Sequence, residues 1–105
     1  WADRLESVMY TDKAYLQKGI TITKLAGLVG TNRNYLSNYL NNVLHTNFYD
    51  YINCARMEYA TEIIKDESLT LTQISSMCGF SDIRTFRKLF QDKYGCLPSD
   101  YRIQK

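Results

Sequence analysis

Apolar side chains recur at intervals of three and four along most of this chain, in runs separated by short clusters of Gly, Thr, Asn and Ser. That period marks helices that bury one face, and no strand-like alternation is sustained, so the pattern predicts an all-α fold of about seven helices. The first, over residues 2–18, places Leu5, Val8, Met9 and Leu16 on one side. A short second helix follows Thr21, with Ile22, Leu25, Ala26 and Val29 inward. After Gly30-Thr31-Asn32 a third runs to about residue 44, with Leu36, Leu40, Val43 and Leu44 inward. The fourth and longest, 48–66, carries Phe48, Tyr51, Ile52, Ala55, Tyr59, Ala60, Ile63 and Ile64 on one stripe. Arg56 interrupts that stripe, and a structural ion pair is the expected way to accommodate its charge. Thr70-Leu71-Thr72-Gln73 has the form of a capping box that opens a fifth helix. Gly79-Phe80-Ser81 then turns the chain into a sixth helix over 82–94, stopped at Gly95. Pro98 suits the first turn of a last helix through Tyr101.

The pattern also repeats. At an offset of 50, Leu36 falls on Phe86, Leu40 on Phe90, His45 on Gly95, Asp50 on Asp100 and Tyr51 on Tyr101. Upstream of the turns the offset is 49, pairing Ala26 with Ser75 and Val29 with Cys78, so the second copy holds one extra turn residue. Each copy reads short helix, tight turn, longer helix. The expected organisation is one bipartite domain over 1–105: residues 1–67 as a first helix-turn-helix unit with an N-terminal helix and a long central linker helix, and 68–105 as the second unit.

Composition narrows the chemistry. A chain of 105 residues that is 45% apolar can build a core. It has no run of eighteen apolar residues and no signal-peptide pattern, which points to a cytoplasmic protein without membrane contact. Trp1 at the start suggests a fragment of a larger protein. Cys54, Cys78 and Cys96, with His45 as the lone His, have no metal-ligand spacing and read as small buried or half-buried thiols. No phosphate loop, carboxylate pair or base beside a nucleophile is found, so neither an enzyme nor a cofactor is expected. The formal charge of +2 is modest, but residues 81–105 hold six Lys or Arg against three Asp, leaving the remainder slightly acidic.

The outward faces of the two longer helices carry the strongest functional signal. In the second copy the face is Arg84, Thr85, Arg87, Lys88 and Gln91, with Phe86, Leu89 and Phe90 opposite; in the first it is Arg33, Asn34, Ser37, Asn38 and Asn41. A face needed only for solubility would mix Glu with Lys, and neither has Glu. Arg pairs bidentately with guanine, Asn with adenine, and Ser or Thr with several base edges, so double-stranded DNA is the expected partner. The alternative is a helical protein-interaction module whose basic face binds an acidic partner.

Residues 74–102, with Gly79-Phe80-Ser81, Phe86, Phe90, Gly95, Pro98 and Tyr101-Arg102, resemble the signature of the AraC/XylS transcription regulators. The first copy agrees through Leu25-Ala26, Tyr35-Leu36-Ser37, Phe48, Tyr51-Ile52, Arg56-Met57 and Ala60, so that the likeness covers residues 21–103. His45, Ser75 and Leu97 stand where the family more often has Gly, Ala and a small hydroxyl residue. The resemblance implies two recognition helices in successive major grooves. It carries base contacts to Asn34, Ser37 and Asn38 and to Ile83, Arg84, Arg87 and Lys88, and phosphate contacts to Thr31, Arg33 and Ser81. It also implies a C-terminal reader behind an N-terminal sensor or two-component module, with RNA polymerase as a possible partner. The run Leu36-Ser37-Asn38-Tyr39-Leu40-Asn41 is similar to regulators common in Bacteroidetes.

Overall fold

The computed structural model describes residues 1–103, and among them the fold is all-α with seven α-helices. These are α1 (Ala2–Glu6), α2 (Ile22–Val29), α3 (Arg33–Asn42), α4 (Phe48–Ile63), α5 (Leu71–Met77), α6 (Ile83–Tyr94) and α7 (Pro98–Ile103). Side-chain caps start the helices where the sequence supplies short polar residues. Thr21, Asn32, Asn47, Thr70 and Asp82 each accept a hydrogen bond from the amide three residues on, and the Gln73 side chain in turn accepts from the Thr70 amide. The repeat therefore extends to the caps, since Thr21 corresponds to Thr70 and Asn32 to Asp82.

The turns show the inserted residue directly. Gly30 and Gly79 both sit at positive φ, 87° and 93°, and close a six-residue loop in which Thr31 N–H donates to Ala26 O and Phe80 N–H to Ser75 O. From Gly30 to the cap Asn32 is one intervening residue, whereas Phe80 and Ser81 separate Gly79 from the cap Asp82. His45, at φ 54°, occupies the left-handed position held by Gly95 (φ 75°) in the second copy.

α4 joins two cores. Its Ile52 and Ala55 pack with Leu5, Met9, Leu25, Val29, Leu36 and Leu40, while Met57, Ala60 and Ile64 pack with Ile74, Cys78, Phe80, Phe86 and Phe90. The aromatic rings of Tyr51, Tyr59, Tyr94 and Tyr101 are half-buried around these clusters.

Four expectations change. The first helix does not run to residue 18: α1 passes into a π-helical turn over Ser7–Thr11, Lys13 reverses the chain at φ 54°, and a 3-10 turn follows at Ala14–Leu16. The turn that replaces it presents backbone carbonyls to Arg56. The guanidinium donates to Tyr15 O at 2.6 Å and Gln17 O at 2.9 Å, so backbone carbonyls replace the expected carboxylate partner. Finally, α3 stops at Asn42, where Thr46 N–H donates back to Leu40 O, and Val43 and Leu44 turn outward, 55% and 40% exposed. α4 likewise ends at Ile63, short of residue 66. Arg102 donates to the carbonyls of Ile64, Asp66 and Leu69 in the connection that follows α4.

Candidate nucleic-acid interface

α6 is fixed by its aromatic side. Phe86 and Phe90 are fully buried, and the rings form a chain: Phe80 to Phe86 at 5.6 Å, Phe86 to Phe90 at 5.8 Å, Phe90 to Tyr94 at 4.8 Å and Phe90 to Tyr101 at 5.4 Å. Offset and edge-on aromatic pairs at these separations hold a helix against rotation about its axis. The opposite face is then held outward, and Arg84, Arg87 and Lys88 are exposed at spacings of three and four. Lys93, near the end of the same helix, is engaged elsewhere. Its ammonium donates to Cys54 Sγ at 3.1 Å, which raises its pKa, so it does not extend this face.

At the start of α6, Asp82 accepts from Thr85 N–H at 2.8 Å. That bond, helped by the Thr85 hydroxyl and Arg84 nearby, holds the carboxyl below its usual range against the opposing effect of desolvation. Ser81 beside it is exposed. Ile83 is half-buried, packing against the second core, so among the positions carried over from the family it presents only part of its side chain outward.

α3 is built alike with less charge. Leu36 and Leu40 anchor it, Asn32 caps it by accepting from Tyr35 N–H at 3.0 Å, and Arg33, Asn34 and Asn38 are exposed while Ser37 and Thr31 are half-buried. The predicted residues are thus brought together in two groups, one on each longer helix. Tyr35 and Tyr49 were given no role, yet they stand 62% and 60% exposed at the N-terminal ends of α3 and α4. Their phase, off the Leu36–Leu40 and Ile52–Ala55 stripes, was the available signal.

Reactive chemistry is sparse. Burial pushes the Cys78 thiol up to about 12 against the opposing effect of Arg56, while Cys54 is exposed, contrary to the expectation that all three thiols are at least half-buried. Among the described residues no group of His, Cys, Asp and Glu could hold a metal ion, and no helix is long and apolar enough to cross a membrane.

The helix-turn-helix domain family matches residues 25–104. An HTH-type transcriptional regulator of Escherichia coli K12, YijO, is 30% identical over 90% of this chain, which spans only 33% of that protein. The C-terminal domain of the two-component response regulator yesN from Fusobacterium nucleatum is 24% identical, covers 96% of each chain and superposes with a TM-score of 0.83. An AraC-type transcriptional regulator structure from Chromobacterium violaceum is 22% identical, covers 98% of this chain and 92% of its own, and has a TM-score of 0.84. All three are named as regulators. The chain belongs to the helix-turn-helix domain family, on a match that begins within α2 and runs through α3, α4, α5, α6 and α7.

Proposed function

We propose that this domain binds double-stranded DNA sequence-specifically and regulates transcription as an AraC/XylS-type bipartite reader. In this reading α2–α3 and α5–α6 are two helix-turn-helix units on α4 as linker, each placing its longer helix in one of two successive major grooves. The observation that carries it is α6, whose Phe86 and Phe90 are fully buried while Arg84, Arg87 and Lys88 stand exposed on the opposite side. A solvated helix needs no such fixed cationic face, and α3 repeats the arrangement with hydrogen-bonding side chains.

Base contacts fall to Asn34, Ser37 and Asn38 in the first unit and to Ile83, Arg84, Arg87 and Lys88 in the second. Arg33, Thr31 and Ser81, beside the helix N-termini, serve the phosphates. The long axis of the molecule, 41 Å, accommodates two recognition helices separated by one DNA turn of about 34 Å. Because the chain spans a third of YijO, and the yesN structure is the C-terminal domain of a response regulator, an N-terminal sensor or two-component module fits the remainder of the protein. RNA polymerase contact belongs to the same proposal, as does the Bacteroidetes-like style of residues 36–41, although the relatives described come from Escherichia, Fusobacterium and Chromobacterium.

Selection from a random duplex pool tests the reading. The expected product is a two-part site whose halves lie about 10 base pairs apart, one helical turn. Failure to enrich any sequence, with little binding to random duplex at physiological salt, would favour an acidic protein partner instead.

A further inference from the structure

The 3-10 turn and the residues flanking it, 13–18, precede the first helix pair in sequence, yet they touch the second. Lys18 Nζ donates to Ser76 Oγ on α5 at 2.9 Å. Leu16 O lies so close to Gly79 that a Cβ there would approach it to 2.7 Å. Between them Arg56, on α4, donates to Tyr15 O and Gln17 O and lays its guanidinium 5.5 Å from the centre of the Phe80 ring. Tyr15 packs edge-on against Tyr59 at 6.4 Å, and Lys13 lies over the same ring. One short turn thus meets the first core, the long helix and the turn of the second pair.

We propose that this N-terminal turn is a clasp that fixes the two helix pairs relative to one another, with Arg56, Gly79 and the Lys18–Ser76 pair as positioning residues for two-groove binding. The inference rests on the bipartite reading above. Guanidinium chemistry suits the central role: its planar fork can serve two carbonyls while its face stacks on an aromatic ring, which the single ammonium of Lys cannot do. Gly79 combines φ 93° with a backbone oxygen where a side chain would be, so both its conformation and its contact demand Gly. The required stiffness is considerable. An angular play of about 10° over a lever of roughly 20 Å moves a recognition helix by about 3.5 Å, a full base-pair step.

Spin labels at positions 42 and 92, exposed sites near the ends of α3 and α6, give the first measurement, made without DNA. The wild-type 105-residue chain is expected to show one narrow distance, and the Lys18→Ala/Ser76→Ala pair, Arg56→Lys and Gly79→Ala to broaden it. The second measurement uses the duplex that the wild type selects, with one base pair inserted between its halves, beside a duplex carrying one half alone. A wild-type penalty on the order of 30-fold for the insertion is expected to shrink to about threefold in the variants, with half-site affinity held within about twofold. General destabilisation would weaken all duplexes together and leave the insertion penalty in place. If Gly79→Ala fails to fold by circular dichroism, the exposed Lys18/Ser76 pair and Arg56→Lys decide. Folded variants that keep both the narrow distance and the full insertion penalty overturn the clasp. A wild type that selects no duplex overturns the DNA reading, while the distance measurement still judges the clasp.

Discussion

Arg84 occupies the first turn of α6, exposed and one residue from Ile83, while Phe86 two positions later is fully buried. Under the proposed reading, Arg84→Ala is expected to cost about 1–3 kcal/mol on the selected duplex and to relax preference at one position, because a bidentate guanine contact is lost. Gel-shift titrations against selected and scrambled duplexes check this, and an equal loss on both would make Arg84 a phosphate contact. Individual side chains were legible in sequence where phase alone fixes exposure, as at Arg84, Arg87 and Lys88. Arg56 was legible as an anomaly but not in its solution, because its partners are carbonyls of Tyr15 and Gln17, 41 and 39 residues away. No spacing rule announces carbonyls presented by a turn so far away in sequence.

The caps distinguish the two longer helices. α3 starts at the neutral Asn32 and α6 at the ionised Asp82, whose carboxyl is held below its usual value of 3.8 chiefly by the Thr85 amide. A depressed native pKa contributes stability above the unfolded value and loses it as pH falls through the folded one. The second helix pair should therefore weaken below about pH 3.8 through this group. Thermal melts followed by circular dichroism are expected to show Asp82→Asn retaining the cap without that contribution to acid loss, and Asp82→Ala destabilised at neutral pH. Caps are local chemistry, three residues long, which is why Thr70 and Gln73 could be recognised as a capping box from the sequence. Features that depend on distant groups could not: α1 gives way to a π-helical turn and then the 3-10 turn at Ala14–Leu16, and the connection after α4 is held by Arg102 through the carbonyls of Ile64, Asp66 and Leu69.

At the scale of the molecule, the charge is uneven and so should be its effect. Arg33 alone contributes a cation to the face of α3, against three on α6. Raising salt is expected to weaken duplex binding with a logarithmic slope steeper than roughly −2, and Arg87→Ala or Lys88→Ala to flatten it by about 1 if each displaces one counterion. Fluorescence anisotropy at graded salt measures both, and a slope near zero would contradict DNA binding. Arg33→Ala should flatten the slope no more than either single change on α6, since Asn34, Ser37 and Asn38 supply hydrogen bonds without charge. By itself the sequence determined the helical class, the fifty-residue repeat, the extra turn residue and the polar faces, because periodicity, caps and left-handed glycines act within a few residues. Tertiary structure alone decided that α4 divides its stripe between two cores and that the turn before α2 reaches across to Ser76 and Gly79. Those contacts join residues some sixty positions apart, and their formation depends on how packed helices meet in space, which no local pattern encodes.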